Sequence, residues 1–461
     1  MKTSRYNLAT ENPDTGDLIL FNTLYGSTVV IEPESKGDVL AILEKPHFSQ
    51  DGDVKLSQLR DDLTKLKFVI NSDTDELALV LNRKMAGIKD KNRLDVILMP
   101  NLNCNFACPY CYESHDAANK MSAEVRENLI KWLGKTIPNF KVLLLNWFGG
   151  EPLLSPDDIL SITEFVRGKC KEHDVRLLTN ITTNGYLFTA DMIRKLVLLE
   201  MFSYQITVDG PPATHNKTRV LRSGKGSFDR VYANILTLTR TDSRVRVSLR
   251  VNYNHNNIHE IPELLDIFPQ DIRSQLRVVF EPVFGEQELS ATKNMAGDEI
   301  SRVITGHYDL AASLGYDIRL GGIGVGKLIY CYAERENQYI VDFKGDVFKC
   351  SVTDFSSSKR VGTIDVEGNF VREEANWAEW FGLGLFDPKC QECTFLPLCM
   401  GGCRKDRIEN GATGSYCSLV PTNTNHALKS IAFGSFGEVL KREVEVSRCC
   451  ANSSRSDKVC G

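Results

Sequence analysis

Between about residues 95 and 320 the chain repeats one pattern: a short apolar run, then a helix-period stretch, then another apolar run. The runs are LDVILMP, KVLLLNWF, VRLLTNITT, MFSYQITV, RVRVSLRV and LRVVFEPVF, with stretches such as SAEVRENLIKWLGK and TADMIRKLVLLE between them. Strands separated by helices can pair in parallel, because the helix carries the chain back across the sheet. The expectation is an α/β sheet or barrel whose active site lies at the carboxyl ends of the strands. Groups able to do chemistry sit just after these runs.

The chain has 14 cysteines, and ten fall into two spaced sets, leaving Cys170, Cys449, Cys450 and Cys460 outside them. Its start, MKTSRYNLATENPDTGD, lacks the apolar core of a signal peptide, and no apolar run is long enough to span a bilayer. The expectation is a cytoplasmic protein with reduced thiols, whose clustered cysteines mean metal or redox chemistry rather than disulfides. A net charge of −5 gives no basic field for nucleic acid.

The first set, Cys104-Asn-Phe-Ala-Cys108-Pro-Tyr110-Cys111, follows the first strand. Three thiolates in one loop can ligate three irons of a [4Fe–4S] cube and leave the fourth open. A zinc site would need a fourth ligand, for which His115 is near enough in sequence. Further groups follow later strands: Gly149-Gly150-Glu151-Pro152, Thr183-Asn184-Gly185, Thr207-Val-Asp209-Gly210, then His215 and Arg219, and Arg250 with Asn252 on the fifth.

The Cys104 loop and these placements resemble the radical S-adenosylmethionine superfamily, whose signature is C-x3-C-x-aromatic-C after the first strand of a partial (β/α)6 barrel. The resemblance implies that Cys104, Cys108 and Cys111 hold a [4Fe–4S] cluster. Its open iron chelates S-adenosylmethionine, and an electron from it breaks a C–S bond to leave a 5′-deoxyadenosyl radical. It also implies cofactor contacts at Tyr110, Gly149, Gly150, Glu151, Asn184, Thr207, Asp209, Arg219 and Arg250. A guanidinium suits the methionine carboxylate.

The second set is Cys331, then Gly345 and Cys350, then Cys390-x2-Cys393-x5-Cys399-x3-Cys403, and later Cys417. It resembles the seven-cysteine SPASM domain of radical enzymes that act on peptides and proteins. That resemblance implies two auxiliary [4Fe–4S] clusters, a nearer one on Cys331, Cys350 and Cys403 and a farther one on Cys390, Cys393, Cys399 and Cys417. A structural zinc ribbon is the alternative. The nearer cluster would have three cysteines, so one of its irons would be open unless a tail cysteine caps it. Sulfatase-maturing enzymes resemble this chain too, but place an Asp base where Ser351 stands.

Residues 1–92 read as a separate α+β module: a strand pair over TGDLILFNTLYGSTVVI after a turn at Asn12, Pro13 and Asp14, helices at GDVLAILEK and KLSQLRDDLTKL, then a hairpin over KFVINSDTDELALVLN. This winged-helix-like reading resembles the peptide-recognition element of ribosomal-peptide maturases, which bind a leader peptide by strand addition. KDKNR is a linker, 93–320 the barrel, 321–425 the SPASM domain, and 426–461 a helix and polar tail.

The expected activity is therefore cross-linking of a ribosomally made peptide, with a thioether favoured over carbon–carbon or carbon–oxygen bonds. Flavodoxin or ferredoxin is the reductant the resemblance implies. The alternatives are a maturase of a protein such as a sulfatase or amine dehydrogenase, and a non-catalytic electron carrier or peptide binder.

Overall fold

A computed structural model describes residues 1–12, 15–46, 54–113, 120–283, 297–318, 328–329, 331–381 and 387–410. Cys417, the expected helix at about 424–445 and the three tail cysteines lie outside these residues.

The N-terminal module begins with β1 (Lys2–Thr3), β2 (Asn7–Glu11), β3 (Leu18–Asn22) and β4 (Thr28–Ile31). Strands β2, β3 and β4 form an antiparallel meander, and β3, buried along its whole length, is the central strand. Helices α1 (Pro33–Glu44) and α2 (Val54–Lys65) cover it through Val39 and Leu63. A short β5 (Val69–Ile70) pairs back to β1.

The expected second arm of a hairpin is instead helix α3 (Glu76–Ile88). DELALVLN fits an alternating pattern, but its continuation buries Glu76, Val80, Lys84, Gly87 and Ile88, which is helical spacing. Asp75 caps that helix by accepting the Ala78 N–H at 2.9 Å, which favours the helical start. The module therefore has all its meander strands before its helices. The linker is short: α3 ends at Ile88 and the next strand starts at Arg93.

That strand is β6 (Arg93–Leu98), followed by α4 (Ala123–Thr136), β7 (Val142–Trp147), α5 (Pro156–Glu172), β8 (Arg176–Thr183), α6 (Ala190–Leu198) and β9 (Ser203–Thr207). Helices α7 (Pro212–Thr218) and α8 (Phe228–Thr241), β10 (Arg246–Tyr253), α9 (Ile261–Ile267), β11 (Leu276–Pro282), α10 (Gly297–Ser313) and β12 (Asp317–Ile318) complete the α/β region. All six apolar runs are strands, parallel and neighboured in chain order from β6 to β11.

Side chains along these strands alternate with period two. Leu143, Leu145 and Trp147, Tyr204 and Ile206, and Val247, Leu249 and Val251 are buried in one core. The intervening Asn146, Gln205, Thr207, Arg250 and Asn252 face the opposite side and line a cavity.

The sheet does not stop at the expected boundary near residue 320. Strand β13 (Gln338–Val341) adds in parallel to β6, and β14 (Asp346–Phe348), β15 (Gly362–Ile364) and β16 (Phe370–Arg372) extend it antiparallel to one another. This meander packs on α4, where the Trp132 and Tyr339 rings meet edge to face at 5.3 Å. Helices α11 (Glu374–Ala378), α12 (Pro388–Glu392), α13 (Leu396–Cys399) and α14 (Arg404–Asn410) follow. Leu396 and Met400 pack on Tyr6, Leu24 and Val80, so the cysteine-rich region is docked on the N-terminal module. Among the described residues no helix is long and apolar enough to cross a membrane.

Candidate active site

The cysteine loop leaves the end of β6 and is held by its neighbours. Gly149 has φ +111°, and a Cβ there would lie 2.3 Å from the Asn101 carbonyl oxygen; at Gly150 it would lie 2.3 Å from that of Asn103. Only bare Cα atoms allow this approach. The Glu151 N–H donates to the Asn103 carbonyl at 2.6 Å.

The Glu151 carboxylate is fully buried and turned toward the end of β8. It accepts from the Thr183 hydroxyl at 2.7 Å, the Asn184 N–H at 2.7 Å and the Leu153 N–H at 2.9 Å. Burial raises its pKa, opposed by those hydrogen bonds and by the Arg219 charge. The Asn184 side chain donates to Asn105 Oδ1 at 2.7 Å and reaches Cys104 Sγ at 3.8 Å. The glycines, Glu151 and Asn184 thus brace the loop.

A second network fixes Tyr110. Its hydroxyl donates to Asp209 and accepts from Asn252 Nδ2 at 3.2 Å and Arg219 Nη1 at 3.4 Å. Asp209 also accepts the Asn252 N–H at 3.1 Å, and Asn257 donates to its carbonyl oxygen at 2.7 Å. Burial raises the Asp209 pKa, while Arg219 lowers it. The Arg219 guanidinium lies over the Phe106 ring at 5.3 Å.

These elements surround one cavity of about 590 Å³. Cys104, Cys108, Cys111, Tyr110, Gly149, Gly150, Asn184, Thr207, Arg219 and Arg250 line it, whereas Glu151 and Asp209 stand buried behind it. Arg250 is oriented by a 2.8 Å bond from its Nε to Asn252 Oδ1. Burial pushes the Cys104 thiol up to about 12 and raises Cys108 and Cys111 as well, so the bare thiols stay protonated until a metal takes them. Three soft donors from one loop facing a roomy cavity, with two arginines in its lining, fit an iron–sulfur cluster and a cosubstrate that bears a carboxylate.

Sequence reasoning did not single out Asn146, Gln205, Tyr112, Phe148 or Tyr332, which also line the cavity. Asn146 and Gln205 carried a usable signal, as polar residues at alternate positions of otherwise apolar strands. Tyr332 carried none, because it arrives from the C-terminal region. Its hydroxyl lies 2.6 Å from that of Ser351, and both residues face the cavity.

Some cysteines of the second set approach one another. Cys331, Cys350 and Cys403 lie within electrostatic reach of one another; burial pushes Cys331 up to about 12, and the other two thiols add to the shift. Cys390 and Cys399 are neighbours in the same sense. Among the described residues no three His, Cys, Asp or Glu side chains converge as ligands of a single ion would.

Residues 99–268 match the Radical SAM superfamily. The chain carries a radical SAM domain, which implies a [4Fe–4S] cluster and S-adenosylmethionine. A cysteine-type anaerobic sulfatase-maturating enzyme of Clostridium novyi (strain NT) is 25% identical over 75% of this chain and 94% of its own length. A mycofactocin maturase of Mycolicibacterium smegmatis is 24% identical over 67% of this chain and 77% of its own. The solved structure of native anSMEcpe with bound AdoMet and Cp18Cys peptide superposes with a TM-score of 0.57 at 19% identity, over 76% of this chain and 99% of that one, and so shares the fold.

Proposed function

We propose that this chain is a peptide maturase that uses a 5′-deoxyadenosyl radical to install a thioether in a ribosomally made peptide. The observation that carries the reading is the shared wall of the cavity. Tyr332 and Ser351 line the space that the Cys104 loop faces, and each directly follows a cysteine of the second set. A peptide segment in that cavity would lie against the Cys104 loop and against the residues that follow Cys331 and Cys350.

In this reading Cys104, Cys108 and Cys111 hold the first cluster, Cys331, Cys350 and Cys403 a second, and Cys390, Cys393, Cys399 and Cys417 a third. When bound together with S-adenosylmethionine, these groups would supply a carbon-centred hydrogen-atom acceptor, a thiolate-binding iron and an electron sink. The chain's own residues do the rest. Tyr110 is immobilised by Asp209 and Asn252, Arg219 and Arg250 offer cations for a carboxylate, and Glu151 fixes the loop. Formation of a thioether from a thiol and a C–H bond removes two hydrogens overall, one to the radical and one as a proton and an electron. Flavodoxin or ferredoxin suits as reductant, in a cytoplasmic setting.

The N-terminal module would bind the leader. Strand β4 is an edge, with Val30 exposed. Asn22 donates to the Ser27 carbonyl at 2.9 Å, so antiparallel alternation turns the Thr28 and Val30 N–H groups away from β3. Those groups can pair with an added strand. Val30→Pro should weaken peptide binding and leave peptide-free cleavage of S-adenosylmethionine intact; unchanged peptide binding in V30P, with β4 still formed, would remove this role.

The main test incubates reduced enzyme with S-adenosylmethionine and a cysteine-bearing peptide encoded beside its gene. The expected product is two hydrogens lighter and its thiol resists alkylation. A product bearing an aldehyde would favour the second reading, a sulfatase-type substrate, which the Clostridium novyi relative supports and Ser351 opposes. Formation of 5′-deoxyadenosine with no change in any peptide would overturn both.

A further inference from the structure

Helix α14 begins directly after Cys403 and carries two arginines three positions apart, Arg404 and Arg407, with 2% and 4% exposure. Buried guanidinium groups require partners. Arg407 has them: Nε donates to the Gly401 carbonyl at 2.8 Å, Nη1 approaches Asp387 at 3.3 Å, and Nη2 donates to Cys390 Sγ at 3.1 Å. One arginine therefore already donates to a sulfur of the second cysteine set.

Arg404 is incompletely satisfied. Its Nη2 donates to Glu334 Oε1 at 3.1 Å, while its buried Nε and Nη1 have no partner among the described residues. Glu334 is itself shared, because Lys84 Nζ lies 2.5 Å from the same oxygen. Two buried cations thus face one carboxylate, and a positive charge is left over in a dry site. Cys403 adjoins Arg404 and acts on its charge, and the Cys331 N–H donates to Glu334 Oε2 at 3.4 Å. An anionic sulfur centre there would satisfy both the unpaired N–H groups and the excess charge.

We propose that Arg404 and Arg407 are positioning residues that set the reduction potentials of two sulfur centres independently. Arg404 serves the centre on Cys331, Cys350 and Cys403, and Arg407 the centre that includes Cys390. The inference rests on the proposed reading of these cysteines as cluster ligands. Hydrogen bonds to cluster sulfur are one of the determinants of potential, and a cationic donor favours the more negative, reduced state. Removing the donor makes the centre harder to reduce.

The test is a potentiometric titration of the cluster-loaded enzyme followed by electron paramagnetic resonance, with the signals assigned by the Cys350→Ala and Cys390→Ala variants. Arg404→Gln should shift the oxidised-to-reduced ratio of the nearer centre about tenfold at fixed potential, which is about 59 mV downward for a one-electron couple, and leave the farther one in place. Arg407→Gln should do the reverse. Iron and sulfide content separates the two levels of failure. Absence of iron on the C-terminal cysteines of the wild type defeats the underlying reading. Clusters present with neither potential moved, or with both moved together in each variant, defeat this inference. If Arg404→Gln cannot retain iron, Arg404→Met, which keeps much of the length of the side chain and removes both charge and donors, decides: an unmoved potential there overturns the proposal.

Discussion

The hydroxyls of Tyr332 and Ser351 lie 2.6 Å apart, and each residue follows a cysteine of the second set. The Ser351 N–H also donates to the Tyr332 oxygen at 3.3 Å, so the pair is doubly tied. Cys350 opens instead onto a smaller cavity of about 200 Å³, lined in part by Lys405 and Trp380. Burial holds the Tyr332 phenol well above its ordinary pKa, so it remains a donor and not a base.

Tyr332→Phe should therefore act on the fate of the peptide and not on radical generation. Loss of one positioning hydrogen bond is worth about 1 kcal/mol, so modified peptide per 5′-deoxyadenosine should fall roughly five- to tenfold. Liquid chromatography of both products in one reaction checks this. An unchanged ratio would show that the hydroxyl has no part in substrate handling.

Replacing Cys104, Cys108 and Cys111 together with Ala should abolish 5′-deoxyadenosine formation and remove part of the iron. The second cysteine set is built on other elements, so its iron should stay. Iron analysis and the nucleoside assay read the two effects separately. Cleavage surviving in the triple variant would mean that another loop holds the reactive cluster.

Gly150→Ala tests the closeness of two backbones. Its Cβ would meet the Asn103 carbonyl oxygen at 2.3 Å and the Leu102 oxygen at 2.6 Å, neither of which is a flexible side chain that can move aside. The loop must shift, at a cost of about 1–3 kcal/mol, and the cysteines move with it. A lower melting temperature together with weaker iron retention is the expected pair of results. Normal iron with normal stability would show that the loop yields freely.

The radical SAM domain was legible because its signals are local: the apolar runs, the helices between them and the cysteine spacing all lie within short windows. The second arm at Glu76–Ile88 was not, since Leu77, Leu79 and Leu81 alternate like a strand until Lys84 and Ile88 reveal the helical period. Lys84 reads as a solvated charge, and its partner Glu334 is 250 residues away. Glu151 reads as a cofactor contact after two glycines; that its carboxylate also accepts from Thr183 and Asn184 is a pairing that exists only once β7 and β8 are side by side.

Lys84→Met should reveal how firmly the N-terminal module is docked. Lys84 is 1% exposed and bonds both Glu334 and the Met400 carbonyl. Its removal breaks a buried ion pair and takes the donor from the Met400 carbonyl, while Arg404 and the Cys331 N–H still reach Glu334; breaking a buried pair costs about 3–5 kcal/mol. Limited proteolysis should then cut near residues 89–93 faster than in wild type. The double variant Lys84→Met/Glu334→Gln should lose more stability still, because Arg404 is then left without its buried carboxylate. Equal stability of the single and double variants would place the cost in packing alone.

His215 gives the fold a defined response to acid. It is fully buried, its Nε2 lies 3.0 Å from the Ser227 hydroxyl, and its Nδ1 has no partner among the described residues. Burial, reinforced by the Arg219 charge, pushes its pKa from 6.5 down to about 3. The unfolded chain therefore binds a proton at this site below about pH 6.5 that the folded chain refuses until about pH 3. Its contribution to stability is complete above pH 6.5 and is lost as pH falls through that window, at up to about 1.4 kcal/mol per pH unit. His215→Asn removes the titrating group, so its melting temperature should fall less steeply than wild type between pH 6.5 and 5, even if the variant is less stable at pH 8. Parallel slopes for the two proteins would show that His215 takes no part in the acid response.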